Sequence, residues 1–174
     1  MANVLLLTGK PGTGKTGLIK EAIDKSRIKA SGFFTEEIRI GGIRQGFRIV
    51  TLDGQEAILA HINIFSPHQV SKYKVDIDSL NRVGVSILQQ SLRGGDLIVI
   101  DEIGKMELLS LRFREVVLQA ICSGRKILGT IMLSPHPFAD RIKRRPEVRT
   151  LVVTGANRSQ VLGEVLDWLE EGID

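Results

Sequence analysis

The sequence predicts an α/β fold of three layers, a mostly parallel sheet with helices on both faces. Three observations lead there. Short apolar runs alternate with amphipathic helical segments along the chain, the order that strand–helix–strand crossovers produce. The first such unit carries a glycine-rich loop between strand and helix. A later apolar strand ends in two adjacent acids. One departure from a plain doubly wound sheet is expected, a β-hairpin inserted near residues 32–51.

The first strand is expected over residues 3–8, where Val4-Leu5-Leu6-Leu7 forms the uninterrupted apolar run of a strand buried on both faces. Gly9-Lys10-Pro11-Gly12-Thr13-Gly14-Lys15-Thr16 follows, a complete G-x-x-x-x-G-K-[ST] loop. Its glycines let the backbone wrap a phosphate chain with N–H groups pointing inward. Lys15 brings positive charge to the β- and γ-phosphates, and the Thr16 hydroxyl is placed to ligate Mg²⁺. Leu18, Ile19, Ala22 and Ile23 recur at helical spacing, so a helix over 15–28 directs its positive dipole end at the same anion. Gly12 to Gly17 also reads G-x-G-x-x-G, with Glu36 and Glu37 about 20 residues on, as a dinucleotide site would have. That pattern ranks below the phosphate loop because it leaves Gly9, Lys15-Thr16 and the later acids without roles.

Phe33 to Ile40 and Ile43 to Thr51 are extended runs meeting at Gly41-Gly42, a hairpin signal. A shorter strand is expected at 57–61. Residues 78–92 predict a helix with Leu80, Val83, Ile87 and Leu88 on its apolar side. Leu97-Ile98-Val99-Ile100 then delivers Asp101 and Glu102 to the C-terminal edge of the sheet, where open α/β folds bind ligands. Asp101 fits the Walker-B role of holding Mg²⁺ opposite Thr16, and Glu102 that of orienting and deprotonating a water. A helix over 108–121 turns Leu109, Phe113, Val116, Val117, Ala120 and Ile121 inward. Strands at 126–131 and 150–153 follow. A last helix over 158–171 packs Val161, Leu162, Val165, Trp168 and Leu169.

A chain of 174 residues, 43% hydrophobic, suits one compact domain spanning 1–174. The net charge of +4 suits an anionic ligand without requiring a nucleic acid. Cys122 is the only cysteine, so an intrachain disulfide is excluded, and its apolar surroundings predict a buried thiol. No apolar run reaches the length of a membrane span or a signal peptide, and a soluble cytoplasmic protein is the default. His61, His68 and His136 lack metal-ligand spacing.

Gly32-Phe33-Phe34-Thr35-Glu36-Glu37, Gly46-Phe47, Asp101-Glu102-Ile103-Gly104-Lys105-Met106-Glu107 and Val153-Thr154-Gly155-Ala156-Asn157-Arg158 follow the phosphate loop in this order. The chain resembles the small P-loop nucleoside-triphosphatase family known from thermophiles, which has a human cancer-related counterpart. The resemblance covers essentially the whole sequence. It implies a RecA-like P-loop fold and slow, Mg²⁺-dependent hydrolysis of several nucleoside triphosphates to the diphosphate and phosphate, with broad tolerance of the base. Members often carry a second Thr after Lys-Thr; here that position is Gly17.

Lys105 and Glu107 follow the Walker-B acids. Lys105 could offset charge on the transferring phosphoryl group, and Glu107 could orient Lys105 or a water, or simply favour a helix start. Arg141, Lys143, Arg144, Arg145 and Arg149 form a basic cluster. It reads as a solvated face, as a lid or arginine finger (Arg141 and Arg144 preferred), or as a nucleic-acid contact. Arg158 could stack on a nucleotide base, while Asn157 could cap the last helix. Glu36 or Glu37 could reach the γ-phosphate side. The leading reading is a monomeric Mg²⁺-dependent nucleoside-triphosphate phosphohydrolase. A nucleoside or nucleotide kinase and a nucleic-acid-associated switch stand behind it.

Overall fold

The computed structural model describes residues 2–172. One nine-stranded sheet runs through them. Its strands are β1 (Val4–Thr8), β2 (Ala30–Ile40), β3 (Ile43–Thr51), β4 (Glu56–His61), β5 (Gln69–Val70), β6 (Tyr73–Val75), β7 (Leu97–Ile103), β8 (Ile127–Ile131) and β9 (Val148–Val152). They lie in the order β5-β6-β4-β3-β2-β7-β8-β1-β9. From β2 to β9 the neighbours are parallel. From β2 outward to β5 they are antiparallel. The predicted hairpin is therefore no appendage. It continues the parallel sheet and, with β4 to β6, widens it on one side.

Side chains alternate across the parallel strands, as the two-residue repeat requires. Leu5, Leu7, Leu97, Val99 and Leu128 face one helix layer, formed by α1 (Lys15–Ser26) and α5 (Arg158–Glu170). Val4, Leu6, Ile98, Ile100 and Ile127 face the other. That layer holds α2 (residues 77–91), α3 (Leu111–Cys122) and α4 (Pro137–Lys143). α2 is α-helical at Ile77–Ser79 and Ser86–Ser91, with a π-helical turn over Leu80–Val85 between them. The predicted three layers are thus present, and the apolar stripes of α1, α2 and α5 are buried as their spacing requires. No described helix is long and apolar enough to cross a membrane.

Three expectations change. The helix expected from Leu108 begins at Leu111, because the Ser110 side chain accepts a hydrogen bond from Phe113 N and caps it there. Glu107–Leu109 forms a separate 3₁₀ turn, which buries Leu108 and leaves Leu109 exposed instead of inward. Cys122 is exposed rather than buried. It stands at the end of α3, one position past the stripe of Val117, Ala120 and Ile121, and Arg145 Nη2 lies 3.2 Å from its Sγ. The short strands β5 and β6 and helix α4 were not anticipated: two or three residues carry no detectable period, and α4 is only seven residues long and runs into the arginine cluster.

Candidate active site

The parallel strands end along one edge, and the glycine loop, Asp101 and Glu102 all lie there. The loop leaves β1 and enters α1. Gly12 and Gly14 hold φ of 79° and 84°, the left-handed conformation that suits glycine. Gly9 admits the turn by lacking a Cβ, which would otherwise collide with Val153 O. Lys15 Nζ donates to the loop carbonyls of Gly9 and Lys10, both at 3.0 Å. Thr13 Oγ1 donates to Lys10 O at 2.9 Å. Lys10, Pro11 and Gly12 remain exposed.

Across β8 from β1, strand β7 brings the acids to the same place. Four β7 positions from Ile100 to Ile103 stand against three of β8, from Gly129 to Ile131, a bulge of the kind that re-aims side chains beside a site. The Asp101–Glu102 peptide is cis. Asp101 is 3% exposed and every oxygen it owns is engaged. Thr16 Oγ1 donates to Oδ2 at 2.7 Å, Thr130 Oγ1 to Oδ1 at 2.6 Å, and Thr35 Oγ1 to its carbonyl at 2.6 Å. Burial pushes its carboxyl up, and the Thr130 and Thr16 hydroxyls oppose that. Thr16 and Asp101 offer two hard oxygen donors. Among the described residues no group of three or more His, Cys, Asp or Glu could hold a metal by itself. That sparse donor set fits Mg²⁺, which keeps several waters and takes the rest of its shell from phosphate oxygens.

Glu102 is half-buried, and burial first and Asp101 second push its carboxyl up, with Lys15 opposing them. Glu107 is 4% exposed. Burial and the neighbouring Glu102 hold its carboxyl well above the ordinary carboxylate range. The two carboxylates meet at Gly104, where an added Cβ would crowd Glu102 and come within 3.0 Å of Glu107 Oε2. Glu107 thus belongs with Glu102 and not with Lys105, which is exposed on the cleft rim.

These groups share one cleft of about 840 Å³. Its opposite wall is the widened sheet: Glu37 on β2, Arg44 and Phe47 on β3, Tyr73 on β6. Arg44 Nε donates to Tyr73 Oη at 2.9 Å and Nη1 to Glu37 Oε1 at 3.1 Å. Its guanidinium lies 5.2 Å from the Phe47 ring and 5.7 Å from the Tyr73 ring. Of the two hairpin acids, Glu37 lines the cleft, while Glu36 faces Lys20 and Arg48.

Other sequence candidates fall elsewhere. Arg158 lies beside the start of α1, within 3.0 Å of Glu21, where an added Gly14 Cβ would stand 3.5 Å from its Nε. Asn157 makes no capping bond; it accepts from Thr154 N and donates to Val152 O, closing the turn before α5. Within the basic cluster, Arg145 pairs with Glu147, Arg149 with Glu164, and Lys143 Nζ reaches Met132 O. None of the cluster lines the cleft. Arg44, Tyr73 and Thr130 carry no motif spacing, and only strand pairing brings them to the site; Thr35 stands within the Gly32–Glu37 string but had no role assigned to it there.

The family model described as NTPase matches residues 4–166. A nucleoside-triphosphatase THEP1 from Thermotoga sp. (strain RQ2) is 46% identical over 95% of each chain. A human cancer-related nucleoside-triphosphatase is 37% identical over 95% of this chain and 96% of its own. The crystal structure of THEP1 from the hyperthermophile Aquifex aeolicus superposes with a TM-score of 0.88 at 34% identity, covering 97% of this chain and 99% of that one. The solution structure of the human cancer-related nucleoside triphosphatase superposes at 0.84 with 35% identity over the whole of both chains.

Proposed function

This chain belongs to the nucleoside-triphosphatase family, and from that membership we propose that it hydrolyses nucleoside triphosphates to the diphosphate and phosphate, with Mg²⁺ and without strong choice among ATP, GTP, CTP, UTP and TTP. The observation that carries the site assignment is the contact of Thr16 with Asp101 beside Lys15 and Glu102 in one cleft.

In this reading the backbone of residues 9–16 cradles the phosphates, and the α1 dipole favours their charge. Lys15 leaves its two loop carbonyls for the β- and γ-phosphates. Thr16 and Asp101 would hold a Mg²⁺ ion, which when bound would offset phosphate charge. Glu102 takes a proton from the attacking water, and Lys105 on the rim offsets charge on the transferring group. Arg158 meets the base side, away from the reacting phosphorus. A single cation there suits any base and supports broad tolerance. Positioning and electrostatics carry most of the rate, since phosphoryl transfer asks little covalent chemistry of the protein. We place its action, as a monomer, in the cytoplasm.

The test is phosphate release from the five triphosphates, with and without Mg²⁺ and RNA, beside Lys15→Ala and Glu102→Gln. Release from all five, lost in both variants and indifferent to RNA, supports the reading. Diphosphate that forms only with an added hydroxyl acceptor, the phosphoryl group ending on that acceptor and no free phosphate appearing, would replace it with a kinase, and release that needs RNA with a nucleic-acid-linked switch.

A further inference from the structure

We propose that Arg44 is the arginine of this reaction, the cation that meets the γ-phosphoryl group as it leaves the nucleotide. The proposal rests on the hydrolase reading above and adds a residue to it.

Topology sets the direction of the phosphate chain. The loop follows β1, Arg158 follows β9 on one side of it, and Asp101 ends β7 on the other. A triphosphate with its base toward Arg158 and its metal-bound end toward Asp101 points its terminal phosphorus at the β2–β3 wall. Thr35 anchors that wall to the site through its bond to Asp101 O at 2.6 Å. Glu37 lies two residues further along β2, on the same face and about 7 Å beyond. Arg44 is hydrogen-bonded to it at 3.1 Å. The guanidinium therefore stands roughly one strand repeat above the buried acid, where the γ-phosphoryl group projects.

Its surroundings prepare it for an anion. Tyr73 Oη and Glu37 fix Nε and Nη1, while among the described residues Nη2 donates to no group. Glu37 is shared with Arg39, whose Nε lies 2.7 Å from it. Two guanidinium groups against one carboxylate leave net positive charge on the wall. Phe47 and Tyr73, packed edge to face with ring centroids 5.2 Å apart, lie together against the Arg44 guanidinium and limit its swing. Arg44 is also the arginine that the cleft lining contains. Arg145, Arg149 and Arg158 are each tied to a glutamate outside it.

In the step it serves, the water oxygen bonds to the γ-phosphorus. The bond from that phosphorus to the β–γ bridging oxygen breaks, its electron pair passing to the diphosphate, and the water proton goes to Glu102. Arg44 donates to the equatorial oxygens as the group crosses. Its planar fork suits that geometry better than a point charge does.

The experiment compares wild type, Arg44→Ala, Arg44→Lys and Lys15→Ala in phosphate release, and in calorimetric binding of ADP alone and of ADP with aluminium fluoride, which imitates the transferring group. Arg44→Ala is expected to lower kcat by ~10²–10³-fold. It should leave ADP affinity unchanged and abolish the added affinity for the fluoride complex, with Arg44→Lys between the two. Retained ADP binding shows that the variant is folded at the site. Wild-type kcat in Arg44→Ala, or an equal loss of ADP and fluoride-complex binding, overturns the assignment. Absence of release from the wild type would instead remove the hydrolase reading beneath it.

Discussion

Thr16 and Asp101 stand 85 residues apart in sequence, and Thr16 Oγ1 donates to Asp101 Oδ2 at 2.7 Å. Helix α1 and strand β7 thus present a hydroxyl and a carboxylate at one point. Thr130 holds the second carboxylate oxygen at 2.6 Å from the adjacent strand. A ligand oriented from behind loses affinity when its support goes. Thr130→Val keeps the volume and removes that hydroxyl. It should raise the Mg²⁺ concentration giving half-maximal phosphate release by ~10-fold or more. A Mg²⁺ titration of release checks it; an unmoved midpoint would mean that Thr130 does not orient Asp101.

Glu102→Gln removes the proposed proton acceptor while keeping the shape of the side chain. Hydrolysis should fall by ~10²–10⁴-fold with nucleotide affinity retained. Single-turnover release and equilibrium binding, measured on the same sample, separate the two effects.

Glu107 ionises near its ordinary value of 4.5 in the unfolded chain and holds its proton to well above that in the folded protein, because burial and Glu102 disfavour its charge. Between those two values unfolding releases a proton, so folding loses ground as pH rises through the window, and no such penalty applies below it. Glu107→Gln removes the titration. The melting temperature of the variant relative to wild type should climb as pH rises above the ordinary carboxylate range. Parallel curves over that rise would show that Glu107 does not store the proton.

Gly46 on β3 faces Ala60 and His61 on β4, and a Cβ there would press into Ala60 O and lie 2.9 Å from His61 Cα. Backbone cannot give way as a side chain can. Gly46→Ala should cost ~1–3 kcal/mol in urea unfolding and loosen the seat of Phe47 beside it. Undiminished stability would mean that the two strands separate freely.

The loop from Gly9 to Thr16 and the pair Asp101-Glu102 were legible in the sequence because each is a contiguous string whose residue types perform one task. The strands and helices around them were legible because their apolar periods run for several turns. Arg44, Tyr73 and Thr130 were not, since each is an ordinary residue until β3, β6 and β8 are paired, and Thr35 stood in a legible string without a task of its own until β2 met β7. The arginines of 141–149 cluster in sequence, which makes them conspicuous there as candidate cations. Arg44 is isolated along the chain and enters the cleft only through the fold. The sequence leaves Glu107 open between orienting Lys105, orienting a water and starting a helix, and the turn at Gly104 places its carboxylate next to Glu102.

The wall across the cleft is carried by one continuous stretch, residues 30–75, which joins the parallel sheet only through β2. The cradle for the phosphates comes from other parts of the chain. The molecule is built like a vice with one fixed jaw and one separately mounted jaw. Altering the mounted jaw, in its length, its aromatic lining or Arg44, would change what the grip admits and how hard it closes. The fixed jaw would keep its hold on the nucleotide.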